Sequence, residues 1–230
     1  MMQAIMETVF DALYLTFVIC AGIFMLVKAN GNSLVKKYGL MAVVLGAGDS
    51  FHLVPRAYAL WTTGLAANAA ALGVGKLITS ITMTAFYMLL YYVWRERYEI
   101  QGKSGLTTTM WSLSTVRVAL CLLPQNQWLR ADQPLLFGIL RNIPFAIMGI
   151  IIIALFLRTS RHDSAFRYMP LAVALSFGFY LPVVLFSSSV PAVGILMIPK
   201  TLAYVWTVLM GWSVFKQQRT QSLTAAYAGR

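Results

Sequence analysis

Eight ionisable side chains interrupt the apolar segments of this chain, and their types are those that bind anions or exchange protons. Three of them belong to the stretch GDSFHLVPR (48–56), where Asp49, His52 and Arg56 follow one another at i, i+3 and i+7. On a helix this spacing places all three on one face. A carboxylate beside an imidazole can act as an acid–base pair, and a guanidinium can bind a carboxylate or phosphate bidentately. The stretch therefore predicts either a catalytic pair or one wall of an anion-binding site.

The other five members of the set come from separate apolar segments: Asp11, Lys76, Arg117, Arg141 and Lys200. A charge at the centre of a membrane-spanning helix costs at least about 2.5–3.5 kcal/mol, so the set needs a common physical reason. One reason is snorkelling, in which a long side chain reaches the headgroups from near a helix end, and Lys76 suits it best. A polar cavity shared between helices accounts for the whole set, and Asn142, Tyr58, Tyr180 and Tyr204 are expected to line it.

Composition identifies the surroundings of these charges as a membrane. Hydrophobic residues make up 59% of the 230 residues and charged residues 11%, whereas soluble domains are about 45–50% apolar and about 25% charged. Seven apolar segments each approach the roughly 20 residues that cross a bilayer: 8–28, 39–62, 70–94, 106–123, 134–157, 168–187 and 191–215. The sequence predicts an all-α integral membrane protein with seven transmembrane helices in a single domain over 1–215, followed by a short polar tail, 216–230.

Basic residues outside the spans are distributed unequally between the two sides. Twelve belong to the first, third and fifth connections and the tail: Lys28, Lys36, Lys37, Arg95, Arg97, Lys103, Arg158, Arg161, Arg167, Lys216, Arg219 and Arg230. The N-terminus and the other connections contain only Arg130. Because cytoplasmic loops are enriched in Lys and Arg, we expect the N-terminus outside and the C-terminus in the cytoplasm, in a bacterial cytoplasmic membrane. The acidic start of the first segment predicts a retained helix rather than a signal peptide.

This topology places nearly all of the intramembrane charges in the outer half of the bilayer, at about 1.5 Å of depth per residue. Five basic groups, less Asp11 and Asp49, leave a formal surplus of +3. A buried surplus is unfavourable unless something negative compensates it, so the pattern predicts an outward-facing basic pocket for an anionic small molecule or a lipid headgroup. A closed network of ion pairs, Asp49 with Arg117 or Arg56 and Asp11 with Lys200, is the structural alternative.

Binding in such a pocket would serve transport or sensing. The tail is too short for an output domain, so a sensor would need a separate signalling partner, and the oligomeric state is left open. Membrane lipids are expected partners. Nucleic acid is not, because the chain has no basic arm with interleaved aromatic residues. No cofactor is expected, and two histidines and two isolated cysteines cannot build a zinc site.

The run GDSFHLVPR also resembles the G-D-x-x-x-L-x-P-R run of lysoplasmalogenase-type membrane hydrolases, which cleave the vinyl-ether bond of lysoplasmalogens. The matching residues are Gly48, Asp49, Leu53, Pro55 and Arg56. The resemblance implies that Asp49 is the acid–base residue, assisted by His52. The resemblance covers nine residues. The Lys-Pro pair expected upstream and the histidine expected in the following helix are absent. The chain also has one span fewer than that family.

A remote alternative is a retinal-binding photoreceptor. Seven helices with a lysine in the last one resemble microbial rhodopsins, and the resemblance implies a Schiff base on Lys200. The chain departs from that pattern in having Leu196 where an aspartate is expected one turn earlier, and Lys76 where the third helix should hold carboxylates.

Overall fold

The computed structural model describes residues 2–187 and 189–228, without the side chains of Gln3, Pro191 and 221–228. Arg230, counted in the predicted tail, lies outside this range. The described elements are α1 (Met2–Val27), α2 (Ser33–Trp61), α3 (Ala69–Arg97), α4 (Ser104–Leu122), α5 (Leu135–Thr159), α6 (Met169–Phe186) and α7 (Met197–Ala228), with short 3-10 helices at Pro124–Asn126 and Pro191–Leu196. Within the described ranges every regular element is helical, which confirms the all-α prediction.

Five of the seven helices are long and apolar enough to cross a membrane: α1, α3, α5, α6 and α7. This is the pattern of a helical membrane protein. Helix α2 does not belong to this group because Asp49, His52 and Arg56 lower its hydropathy, and α4 does not because it is rich in Thr and Ser.

Four helix ends differ clearly from the predicted segments. Helix α1 begins at Met2 rather than residue 8, and α2 begins at Ser33 rather than residue 39. Helix α7 begins at Met197 rather than residue 191 and continues to Ala228 rather than ending at 215. The stretch predicted as a separate tail is therefore a continuation of the last helix over its described residues. Hydropathy marks where a segment stops being apolar, whereas Lys, Gln, Arg and Ala beyond that point remain good helix formers.

Small residues allow α2 to pack closely against its neighbours. A side-chain carbon at Gly39 would lie 2.9 Å from the Gly22 carbonyl oxygen of α1, and one at Gly75 of α3 would lie 2.1 Å from the Phe51 carbonyl oxygen. The Thr79 hydroxyl of α3 donates to the Gly48 carbonyl at 3.0 Å. Backbone contact of this kind, typical of membrane helix pairs, fixes the position of the GDSFHLVPR segment within the bundle.

At one end of the bundle, the end of α3 is joined to its neighbours by charged contacts. Glu96 pairs with Lys37 near the start of α2, and Arg97 binds Asp163 of the α5–α6 connection through Nε at 2.9 Å and Nη2 at 3.1 Å. The Tyr98 hydroxyl also donates to Asp163 at 3.1 Å. The first, third and fifth connections therefore lie at the same end.

The pKa of Asp163 is set by two opposing effects. Burial raises it, but hydrogen bonds from Arg97, the Ala165 backbone N–H and Tyr98, together with the charge of Arg97, outweigh burial and hold the pKa below its usual range. A depressed carboxyl pKa means that the charged form stabilises the folded protein at neutral pH.

We expect Asp163→Asn to lower the free energy of unfolding by about 1–3 kcal/mol at pH 7, because hydrogen bonds to a charged acceptor weaken. This contribution is fully present above the unfolded pKa of about 3.9 and is lost as pH falls through the depressed folded pKa. The difference in thermal midpoint between wild type and variant in detergent should therefore shrink below about pH 4. A difference that stays constant across the pH range would contradict this account.

Candidate functional site

Asp49 and Lys200 face each other in the interior of the bundle. Asp49 on α2 is 9% exposed and Lys200 on α7 is 8% exposed. The Tyr14 hydroxyl of α1 donates to Asp49 Oδ2 at 2.7 Å. Lys200 interacts electrostatically with Asp49 but does not reach ion-pair distance, and its Nζ lies 5.0 and 5.3 Å from the ring centroids of Tyr180 and Tyr204.

Arg117 on α4 is the least compensated charge of the set. It is 2% exposed, its Cζ lies 3.4 Å from the centroid of the Phe145 ring, and its Nε and Nη1 are buried without a hydrogen-bond partner. Among the described residues no carboxylate pairs with it. A cation–π contact contributes about 2 kcal/mol when desolvated, which is less than the several kcal/mol that burial of an ion costs. The guanidinium therefore retains unused donor capacity in an enclosed, aromatic environment.

The Phe145 ring on which Arg117 lies belongs to an aromatic cluster. The Phe145 ring contacts Tyr87 of α3 at 4.9 Å and Phe177 of α6 at 4.9 Å between centroids. The hydroxyls of Tyr87 and Ser176 lie 3.2 Å apart. Helices α3, α5 and α6 thus supply the aromatic cluster against which the guanidinium of α4 packs.

Arg141 is satisfied locally at the start of α5. Its Nη1 donates to Asn126 Oδ1 at 2.7 Å, and its guanidinium lies 4.3 Å from the Trp128 ring centroid. The neighbouring Asn142 accepts a hydrogen bond from the Tyr180 hydroxyl at 3.0 Å. Tyr180 therefore contacts both groups: its hydroxyl donates to Asn142, and its ring lies near the Lys200 ammonium.

Arg56 pairs with Glu7 of α1, an acid that the charge count from sequence left out. The Nε–Oε2 distance is 2.8 Å and the Nη2–Oε1 distance is 3.3 Å. The alternative pairings of Asp49 with Arg56 and of Asp11 with Lys200 are not formed: Asp11 interacts electrostatically with Glu7, Arg56 and Asp49. Including Glu7, five basic and three acidic groups leave a formal surplus of +2 rather than +3.

His52 and Lys76 lie apart from the Asp49–Tyr14 contact. The His52 ring is partly buried, its Nδ1 has no hydrogen-bond partner, and its charged neighbours are Lys76, Arg56 and Lys200. Lys76 is exposed on α3, as snorkelling requires. Asp49 and His52 share a helix and the neighbour Lys200, but only Asp49 is hydrogen-bonded to Tyr14. Tyr58, expected near the cavity, is also exposed.

Sequence reasoning missed three contributors to this region: Glu7, Tyr14 and Phe145. Glu7 lies one helical turn before Asp11, and this i, i+4 spacing was an available signal for a second acid on the same face. Tyr14 and Phe145 carried no comparable signal, because aromatic residues are frequent throughout the apolar segments.

Open grooves also lie along the surface near the α3–α4 connection. One, of about 750 Å³, is lined by Arg95 and by hydroxyl-bearing residues of α4 from Ser104 to Thr115. Arg95 donates to the carbonyls of Ile100 and Gly102 and to the Thr107 hydroxyl. The Arg95 guanidinium in this groove is therefore already hydrogen-bonded to the protein itself.

No protein-family model matches the chain, and neither curated proteins nor solved structures show a significant similarity to it. Function is therefore inferred from the chemistry of these residues.

The Glu7–Arg56 pair should contribute to stability as a unit, since it joins α1 to α2 through two charge-assisted hydrogen bonds. We expect Glu7→Gln and Arg56→Gln each to lower the thermal midpoint in detergent. The double variant should lose less than the sum of the two, with a coupling of about 0.5–3 kcal/mol. Strictly additive losses would show that the two side chains do not act together.

Proposed function

We propose that the chain is a seven-span membrane protein with its N-terminus outside and its C-terminus in the cytoplasm. The twelve-to-one distribution of basic residues between the two sets of connections supports this orientation. Helices α2 and α4, which are not among the five apolar helices, are included as spans because they supply Asp49 and Arg117 to the interior and expose apolar residues elsewhere.

Within this bundle the protein binds an oxyanion, a carboxylate or phosphate group, between α4 and α7. The observation that carries this proposal is the buried guanidinium of Arg117, which has two nitrogen atoms without a hydrogen-bond partner and forms no ion pair with a described carboxylate. Lys200 interacts electrostatically with Arg117 and adds a second positive charge. Two cations in a low-dielectric interior, with one acid, Asp49, beside Lys200 alone, favour a negative ligand.

Anion binding here serves transport or sensing. Proline interrupts α2 at Pro55, α5 at Pro144 and α6 at Pro182. Each proline removes one backbone hydrogen bond of its helix and creates a place where the helix can bend. Bending at these positions would move the walls of the site relative to one another. Uptake of labelled anion into proteoliposomes distinguishes a transporter from a receptor that binds without translocation.

We expect Arg117→Gln to weaken anion binding at least about tenfold, because loss of one charge-assisted hydrogen-bond pair removes about 1.5–3 kcal/mol. Arg117→Lys should recover only part of the affinity, since an ammonium lacks the planar fork. Calorimetric titration of the detergent-solubilised protein with acetate, inorganic phosphate and methanesulfonate measures the effect.

The matched control is Arg130→Gln, which removes an exposed arginine from the α4–α5 connection on the same proposed side. It should bind as wild type does. If Arg117→Gln and Arg130→Gln bind these probes equally well, Arg117 does not form the site. Repeating the comparison in nanodiscs with and without phosphatidylglycerol separates a soluble oxyanion from a lipid headgroup: competition by the anionic lipid identifies the headgroup.

A second candidate function is hydrolysis of an ether lipid, and the observation that favours it is the enclosed Asp49 carboxylate, held by Tyr14 and facing Lys200. An acid in such a position can exchange a proton with a bound substrate. We expect Asp49→Asn then to abolish release of aldehyde from a lysoplasmalogen while leaving lipid binding intact. A wild-type protein that releases no aldehyde would exclude this activity.

A further inference from the structure

Asp49 and Arg117 share one charged neighbour, Lys200. The ammonium interacts electrostatically with the carboxylate on α2 and with the guanidinium on α4. It forms no hydrogen bond with a described residue and lies instead over the rings of Tyr180 and Tyr204. An oxyanion bound by Arg117 and Lys200 would therefore lie within electrostatic range of Asp49, whose carboxylate the Tyr14 hydroxyl holds at 2.7 Å.

We propose that anion binding at this site is coupled to protonation of Asp49, so that the protein takes up one proton with each anion. This inference rests on the proposed oxyanion site, because it requires a negative ligand at Arg117. It adds a specific role for Asp49: the carboxylate competes with the ligand for Lys200.

The charges of the three groups explain the coupling. With Asp49 ionised, Arg117, Lys200 and Asp49 carry two positive charges and one negative charge. A bound monoanion would place two negative groups around one ammonium, and like charges at close range favour the neutral form of one of them. Protonation of Asp49 relieves this repulsion and leaves Lys200 to the ligand. By reciprocity, a lower pH must strengthen anion binding.

The surroundings of Asp49 contain one other described carboxyl group able to take up this proton, Asp11. Helix α1 presents Tyr14 and Asp11, and α7 presents Lys200 and Tyr204. From α3 the side chains packed beside Gly48 are Thr79 and Thr82, which do not titrate. On α2 itself, His52 lies among cations. Asp11 is thus the competing proton acceptor that an experiment must separate from Asp49.

Isothermal titration calorimetry of the full chain in detergent tests the coupling directly. Methanesulfonate is the probe because its charge is constant between pH 5 and 8, so any proton taken up binds to the protein. Titrations in two buffers of different ionisation enthalpy give the number of protons bound per anion. We expect about one in wild type, with an affinity that weakens up to about tenfold per pH unit as pH rises.

Substitution of single carboxylates shows which residue binds the proton. Asp49→Asn keeps an oxygen for the Tyr14 hydroxyl, and we expect it to bind methanesulfonate with no proton uptake and little pH dependence. Asp132→Asn, an exposed change in the α4–α5 connection, should behave as wild type.

Two results would overturn the coupling while leaving the anion site intact: wild-type binding without proton uptake, or uptake that persists in Asp49→Asn and disappears in Asp11→Asn. Absence of methanesulfonate binding at every pH would instead overturn the oxyanion site, and the coupling with it.

Discussion

The arrangement of this bundle depends on the burial of positive charge in an apolar interior. Arg117 and Lys200 are each at most 8% exposed, and neither forms an ion pair with a described carboxylate. Aromatic rings from α5, α6 and α7 contact both cations, which lowers the cost of burial without removing it. The partial compensation distinguishes this interior from a closed ion-pair network and is the basis of the proposed anion site.

The five basic groups differ in how their positive charges are paired. Arg56 is neutralised by Glu7, Arg141 is hydrogen-bonded to Asn126, and Lys76 is exposed. Each of these has an ordinary structural explanation. The chemically available charges are thereby reduced from five to two, Arg117 and Lys200. Arg117 lies over Phe145 of α5, and Lys200 lies over Tyr180 of α6 and Tyr204 of its own helix. A site defined by two cations and one acid is smaller than the pocket predicted from sequence.

The position of the Asp49 carboxylate also depends on close packing of the helices. Asp49 lies in a part of α2 where Gly48 and Gly75 let the backbones of α2 and α3 approach each other, and α1 contacts α2 at Gly22 and Gly39. Because α2 is held from both sides, the Asp49 carboxylate has a fixed position relative to Tyr14. Larger residues at these glycines would separate the helices and displace the carboxylate from α7.

The sequence by itself determined the helical class, the approximate positions of all seven helices and the residues carrying buried charge, because hydropathy and composition are local properties of the chain. It did not determine that Glu7 pairs with Arg56, that Tyr14 binds Asp49, or that Arg117 lies on Phe145. These partners are separated by 28 to 49 positions in the chain, so only the packing of helices decides which of them meet. The end of α7 also escaped prediction, since helix hydrogen bonding continues where hydropathy stops.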